Sequence, residues 1–291
     1  MSGAARILET TDAPAAGIVG GRADGIAYLH RAGRDKSVPV VLLHGIGSDA
    51  ASFVPLMEAL DPRFDVIAWD APGYGTSVPL APEWPSAADY AERLATLLAA
   101  LGTGPAIVVG HSLGALMAAA LARSSPDRVA GVMLLSPAVG YGAAPGDVLP
   151  ESVAARLADL ERFGPEQFAQ ARAPRLVSDV AVLPAVIRAM ASVRMPGYGQ
   201  ASRMLGCGRL IEDVAALTCP VLVACGAEDK ITPPAQSATV AAALAPAARV
   251  RDDLVLIDGT GHALPQERPD VVASLIADLA AHHSSKESGD E

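Results

Sequence analysis

Short apolar runs rich in β-branched residues alternate with longer helical patterns along most of this chain, and that alternation constrains its fold more than any other feature. The runs are "GIAYLH" (Gly25–His30), "VPVVLL" (Val38–Leu43), "FDVIAW" (Phe64–Trp69), "AIVV" (Ala106–Val109), "VAGVMLL" (Val129–Leu135), "VLVAC" (Val221–Cys225) and "LVLI" (Leu254–Ile257). The middle runs are apolar almost without interruption, as strands buried on both faces of a parallel sheet must be. Helical patterns lie between them at Ala50–Leu60, Ala87–Leu101, Leu113–Arg123, Ala235–Leu244 and Pro269–His282. Strand and helix in repeated alternation predict an α/β fold: an open, mostly parallel sheet with helices on both faces. Proline and polar signals in "SSPDRV" and "LAPAARV" end helices ahead of the next strands.

One region breaks the pattern. From about Ala138 to Asp213 only helical patterns appear, punctuated by Pro150, Gly164–Pro165, Pro174, Pro184 and Pro196–Gly197. This predicts an α/β core built from residues 1–137 and 214–291, with residues 138–213 inserted as a helical cap over its site. A length of 291 residues accommodates one large domain with such an insertion. With 51% hydrophobic and 19% charged residues the chain has material for a full core, and at 4% aromatic that core must be made of Ala, Val and Leu.

The chemistry is concentrated where the strand Ala106–Val109 runs into Gly110-His111-Ser112-Leu113-Gly114 and then into a helix. A strand-to-helix turn this tight strains the backbone of its serine and lifts Oγ above the carboxyl end of the sheet. It also demands small residues such as Gly110 and Gly114 on either side. Ser112 is therefore a candidate nucleophile; the competing reading is a serine that caps the following helix. A nucleophilic serine needs a base, and the base an orienting acid. Among six histidines, His262 in "DGTGHALPQERP" follows the last strand in a loop of small residues, which makes it the candidate base. Adjacent residues on a turn point apart, so His111 is not expected near Ser112. For the acid, "CGAEDKITPP" sets Asp229 just past a buried strand, with Glu228 as runner-up and Asp147 more remote. The loop His44-Gly45-Ile46-Gly47 follows the strand "VPVVLL". Its Ile46 N–H and the Leu113 N–H are candidate oxyanion donors, with His44 and Gly45 supporting the loop.

Composition excludes other classes. A net charge of −10 without any long basic run opposes nucleic-acid binding, which rests on clustered Lys and Arg. No apolar run reaches the roughly 18–20 residues of a membrane span. The acidic, polar start "MSGAARILETTDAPAAG" has no signal-peptide core, and the tail "HHSSKESGDE" is expected to fray. Cys207, Cys219 and Cys225 lack metal-site spacing and read as reduced, mostly buried thiols of a cytoplasmic protein. No metal or organic cofactor site is apparent. A small-molecule substrate is the expected partner, and no subunit interface can be read from the sequence.

Taken in order, "LLHGIGSDAASF", "VIAWDAPGYGTS", "VGHSLGALMAAALA", "CGAEDKITPP" and "GTGHALPQERP" resemble the α/β-hydrolase superfamily over most of the chain. "WDAPGYGTS" is similar to its D-x-x-G-x-G-x-S loop, in which Asp70 and the glycines shape a turn. The resemblance implies an α/β-hydrolase fold and a serine hydrolase, with a carboxylesterase as the first expectation; the alanine-rich composition is one common in chains from GC-rich bacterial genomes. Hydrolysis of a C–C bond, a lactone or an amide is the alternative, and a non-catalytic ligand-binding protein a remote one. Members that cleave C–C bonds often carry H-G-x-G-P-G and an aromatic residue after the catalytic histidine; this chain has His44-Gly45-Ile46-Gly47-Ser48-Asp49 and Ala263. In the cap, Arg172 and Arg175 are candidates for holding a substrate carboxylate, against the plainer reading of solvated surface arginines; Arg194 and Arg203 lie nearby.

Overall fold

The computed structural model describes residues 17–35, 37–251 and 254–287. Eight strands form one sheet: β1 (Ile18–Ala23), β2 (Ile26–Arg31), β3 (Val40–Leu43), β4 (Val66–Trp69), β5 (Ala106–His111), β6 (Val129–Leu135), β7 (Val221–Gly226) and β8 (Val255–Ile257). Their spatial order is β1-β2-β4-β3-β5-β6-β7-β8. The sheet is parallel from β4 through β8, while β1 and β2 pair antiparallel at one edge.

The helices are α1 (Val54–Ala59), α2 (Ala87–Ala100), α3 (Gly114–Ser124), α4 (Glu151–Arg172), α5 (Leu183–Ala191), α6 (Gly197–Cys207), α7 (Leu210–Ala215), α8 (Pro234–Ala243), α9 (Leu264–Glu267) and α10 (Pro269–Glu287). Local sequence sets several of their starts. Ser86 and Asp89 form a reciprocal capping box at α2, and proline occupies the first turn of α1 and α8.

Period-two alternation along the strands divides the core between the two faces. Val41, Leu43, Ile67, Val108, Val132 and Leu134 pack with α2 and α3 on one side. Val40, Leu42, Val66, Val109, Met133 and Leu135 pack with α1 and α10 on the other. The central strands are wholly buried, which is why their sequences carry no polar face.

Three differences from the sequence expectations are informative. β1 is an additional strand, joined to β2 through Asp24 (φ +48°) and Gly25 (φ +78°), a two-residue turn with both φ positive. α10 continues through His282 and His283 to Glu287, into the stretch expected to fray, whose last residues, 288–291, lie outside the described residues. Cys225 is buried, but Cys207 and Cys219 are only partly so. The leader expectation rests chiefly on residues 1–16, which lie outside the described residues. No described helix is long and apolar enough to cross a membrane.

Between β6 and β7 the described residues form helices and turns only. Gly164 (φ +72°), followed by Pro165, breaks α4 into two arms. The segment is tied to the core at several points. Gln200 Nε2 donates to the carbonyls of Leu80 and Pro82, Arg203 pairs with Glu83 at 3.2 Å, and Arg194 donates to the carbonyl of Gly75. Arg194 and Arg203 are thereby engaged with core loops.

Candidate active site

Strands β3, β5, β7 and β8 all end on the same edge of the sheet, and each delivers one part of the site from the loop that follows it. At the end of β5 the chain turns through Ser112 at φ +52°, a left-handed conformation that is costly for a side-chain-bearing residue. Close packing explains its glycines. A Cβ at Gly110 would sit 2.5 Å from the Gly114 carbonyl oxygen, and one at Gly114 would sit 2.3 Å from that of Leu43.

Ser112 Oγ lies 3.0 Å from His262 Nε2, and His262 Nδ1 lies 2.8 Å from Asp229 Oδ2. All three residues are buried. With a proton on Nδ1 donated to the carboxylate, Nε2 is left to accept from the serine hydroxyl. Asp229 Oδ1 accepts the N–H groups of Ile231 and Thr232 at 2.8 and 3.0 Å. Burial pushes the Asp229 carboxyl up. The hydrogen bond and charge of His262, with the two backbone donors, outweigh this and hold it well below the usual carboxylate range. Glu228 points elsewhere, accepting from the Gly259 N–H, and Asp147 caps its own turn through the Ala144 N–H.

In the loop after β3, His44 donates from Nδ1 to the Gly45 carbonyl at 2.9 Å and accepts the Ala71 N–H at Nε2, 3.0 Å away. It stitches two loops together and leaves no ring nitrogen for proton transfer. Asp70 accepts the Ala50 N–H and fixes the neighbouring turn. Ile46 and Leu113 both border the space in front of Ser112. Among the described residues no acceptor takes either of their backbone N–H groups.

Three residues that the sequence did not single out support this arrangement. Thr232 Oγ1 lies 2.9 Å from Asp229 Oδ2, 3.2 Å from His262 Nδ1 and 3.0 Å from the Ser136 carbonyl oxygen. His111, expected to point away, packs its ring centroid 5.0 Å from that of His262 and donates from Nε2 to the His262 carbonyl at 2.7 Å. Burial, and then the nearby His262, lower its pKa to about 3, so it stays neutral. Glu267 is buried and accepts the N–H groups of Ser178, Asp179 and Gly261 at 2.7, 2.8 and 3.1 Å. The Leu176 carbonyl accepts from both His262 N–H and Ala263 N–H. The helical segment and the His262 loop therefore share one hydrogen-bond system.

Ser112 and His262 face a chamber of about 340 Å³ whose far wall comes from the helical segment, including Arg172 and Arg175. Arg172 is half-buried, 3.1 Å from Asp159, with its guanidinium over the Phe168 ring; Arg175 is exposed at the rim. Met190, Leu176 and Leu205 line the chamber, whereas Met204 packs in the core and Met195 is exposed. A second cleft of about 30 Å³ opens on the other side of Ser112, between Gly45, Val186 and Ala189. No cluster of metal-ligating side chains occurs among the described residues.

The sequence model described as "Alpha/beta hydrolase family" matches residues 40–275. Among curated relatives, a 2-(acetamidomethylene)succinate hydrolase of Mesorhizobium japonicum is 32% identical over 84% of this chain and 90% of its own length. Lipase LipV of Mycobacterium tuberculosis is 32% identical over 86% and 95%. Among solved structures, the malate-bound form of a thermophilic esterase from Thermogutta terrifontis superposes with a TM-score of 0.72 at 28% identity, covering 89% of this chain and 94% of that one.

Proposed function

The chain belongs to the alpha/beta hydrolase family, and on that premise we propose that it is a serine hydrolase cleaving a small carboxylic ester through an acyl-enzyme. The observation that carries this reading is the unbroken hydrogen-bond chain from Ser112 Oγ through His262 to Asp229. His262 Nε2 takes the serine proton as Oγ attacks the substrate carbonyl. Asp229 keeps the imidazole in the tautomer that can accept it and stabilises the imidazolium. The N–H groups of Ile46 and Leu113 receive the oxyanion, each worth on the order of 3 kcal/mol in the transition state. His262 then protonates the departing alkoxide, and water activated by the same nitrogen releases the acid and regenerates Ser112.

Residues 138–213 act in this reading as the cap that shapes the substrate chamber. A second reading, attack of the same serine on an amide, is favoured by the Mesorhizobium relative, whose named substrate carries an acetamido group.

The test is hydrolysis of p-nitrophenyl acetate, butyrate and octanoate at pH 7.5 by the wild type and by Ser112→Ala. Wild-type turnover that falls at least about 10⁴-fold in the variant is expected. A variant that keeps its activity would remove Ser112 from the chemistry. An inert wild type that cleaves N-acyl p-nitroanilides would move the amide reading ahead.

A further inference from the structure

Resting on the hydrolase reading above, we infer that the chamber selects a substrate bearing a carboxylate, held by Arg156, Arg172 and Arg175. The chain carries a net charge of −10, yet Arg156, Arg172, Arg175 and Lys230 line the chamber and no aspartate or glutamate does. The break at Gly164 contributes to this, because Arg156 lies on the first arm of α4 and Arg172 ends the second.

Elsewhere in the molecule Arg93, Arg123, Arg203, Arg251 and Arg268 each pair with a carboxylate. Arg22, Arg128 and Arg188 have no such pair among the described residues but stand apart from one another on the surface, so it is the clustering around one chamber that is distinctive. Asp159, outside the chamber lining, pairs with Arg172 alone, and among the described residues Arg156 and Arg175 have no ion-pair partner. Arg156 Nε is buried without a hydrogen-bond acceptor. Burial, and then the charge of Arg156, lower the pKa of Arg172, as mutually repelling cations withdrawn from water require.

Gathering like charges this way opposes folding, and a bound carboxylate relieves it through bidentate, charge-assisted hydrogen bonds. The remaining walls, from Phe168, Tyr198, Val139 and Leu205, suit a short carbon skeleton. The cleft of about 30 Å³ across Ser112 admits only a small group. The substrate is thus asymmetric, with its anionic part in the chamber and a small neutral part in the cleft.

Two measurements test this. Binding of succinate and glutarate to the Ser112→Ala protein by calorimetry needs no turnover, so it stands or falls apart from the esterase reading. Saturable binding that weakens with added KCl is expected. No binding of either diacid, or equal binding of inorganic phosphate, overturns the carboxylate site.

Kinetically, kcat/KM for two anionic substrates, monomethyl glutarate and 4-acetoxybenzoate, is compared with that for methyl butyrate and phenyl acetate. These pairs put the charge on the acyl and on the leaving side. One anionic substrate should be preferred over its neutral counterpart by about tenfold or more. Arg156→Gln should lower that preference about 10- to 100-fold, with partial recovery in Arg156→Lys. If Arg156→Gln does not fold, Arg175→Gln at the exposed rim carries the same comparison. An unchanged ratio overturns the proposal. Failure of the esterase reading shows instead as neutral esters left uncleaved while the diacids still bind.

Discussion

Replacing Asp229 by asparagine should inactivate the protein while leaving its fold intact, and the surrounding donors dictate why. Oδ1 accepts two backbone N–H groups at 2.8 and 3.0 Å, so the side-chain carbonyl of asparagine must take that position. The opposite rotamer would set an NH2 group against both donors at about 1–3 kcal/mol each. The amide nitrogen is thereby forced to the Oδ2 position, 2.8 Å from His262 Nδ1. A donor there requires Nδ1 to accept, which moves the imidazole proton to Nε2, facing Ser112 Oγ. The base is then in the wrong tautomer. Restoring the right one loses a charge-assisted hydrogen bond of about 1.5–3 kcal/mol and opposes two donors, for a total of about 3.5–9 kcal/mol, or at least about 300-fold in kcat. Steady-state hydrolysis of p-nitrophenyl acetate at pH 7.5 measures this, with thermal melting as the folding control. A natively melting Asp229→Asn protein that keeps more than about a tenth of kcat would refute the reasoning and turn attention to Glu228.

Two further outcomes follow from the residues around the triad. His111 has a pKa of about 3 in the folded protein and about 6.5 when unfolded, so between these values only the unfolded chain binds the proton. Stability should therefore fall as pH drops from about 6.5 towards 3, by on the order of 3 kcal/mol at pH 4 from this group. His111→Gln, which keeps a donor for the His262 carbonyl, should show a flatter Tm-against-pH curve, and parallel curves would count against it. Glu267→Ala strands three N–H groups, with an expected loss of about 2–4 kcal/mol, a lower Tm and faster amide exchange at Ser178 and Asp179. A Tm within about 1 °C of wild type would show that the buried carboxylate is not holding the segment.

What the sequence revealed, and what it hid, divides along a physical line. The central strands were legible because burial on both faces allows few residue types, and their observed bounds lie within two residues of the expected ones. The turn at Ser112 was legible because sterics exclude side chains at Gly110 and Gly114. Asp24-Gly25 carried a local hairpin signal, but Gly20 and Gly21 diluted the apolar pattern of β1 and concealed its partner strand. Thr232, His111 and Glu267 act through contacts with the His262 loop and the helical segment. No local pattern distinguishes them from a capping threonine, a turn histidine or a surface glutamate. Arg156 was hidden for a related reason: an arginine in a polar helical stretch reads as solvated until the bend at Gly164 turns it towards Arg172.

The shared hydrogen bonds between residues 176–179 and the loop carrying His262 bear on how such a protein can be re-engineered or diversified. Because the Leu176 carbonyl and Glu267 tie the two together, residues 138–213 are not an interchangeable module. A graft taken from a relative at those boundaries would leave Glu267 facing foreign backbone and let the histidine drift from its serine. The unit that can be exchanged includes residues 261–267 as well. Recombination within that unit would alter substrate preference and catalytic alignment together, so new specificities are reached more readily by point changes on the chamber wall than by exchange of the whole segment.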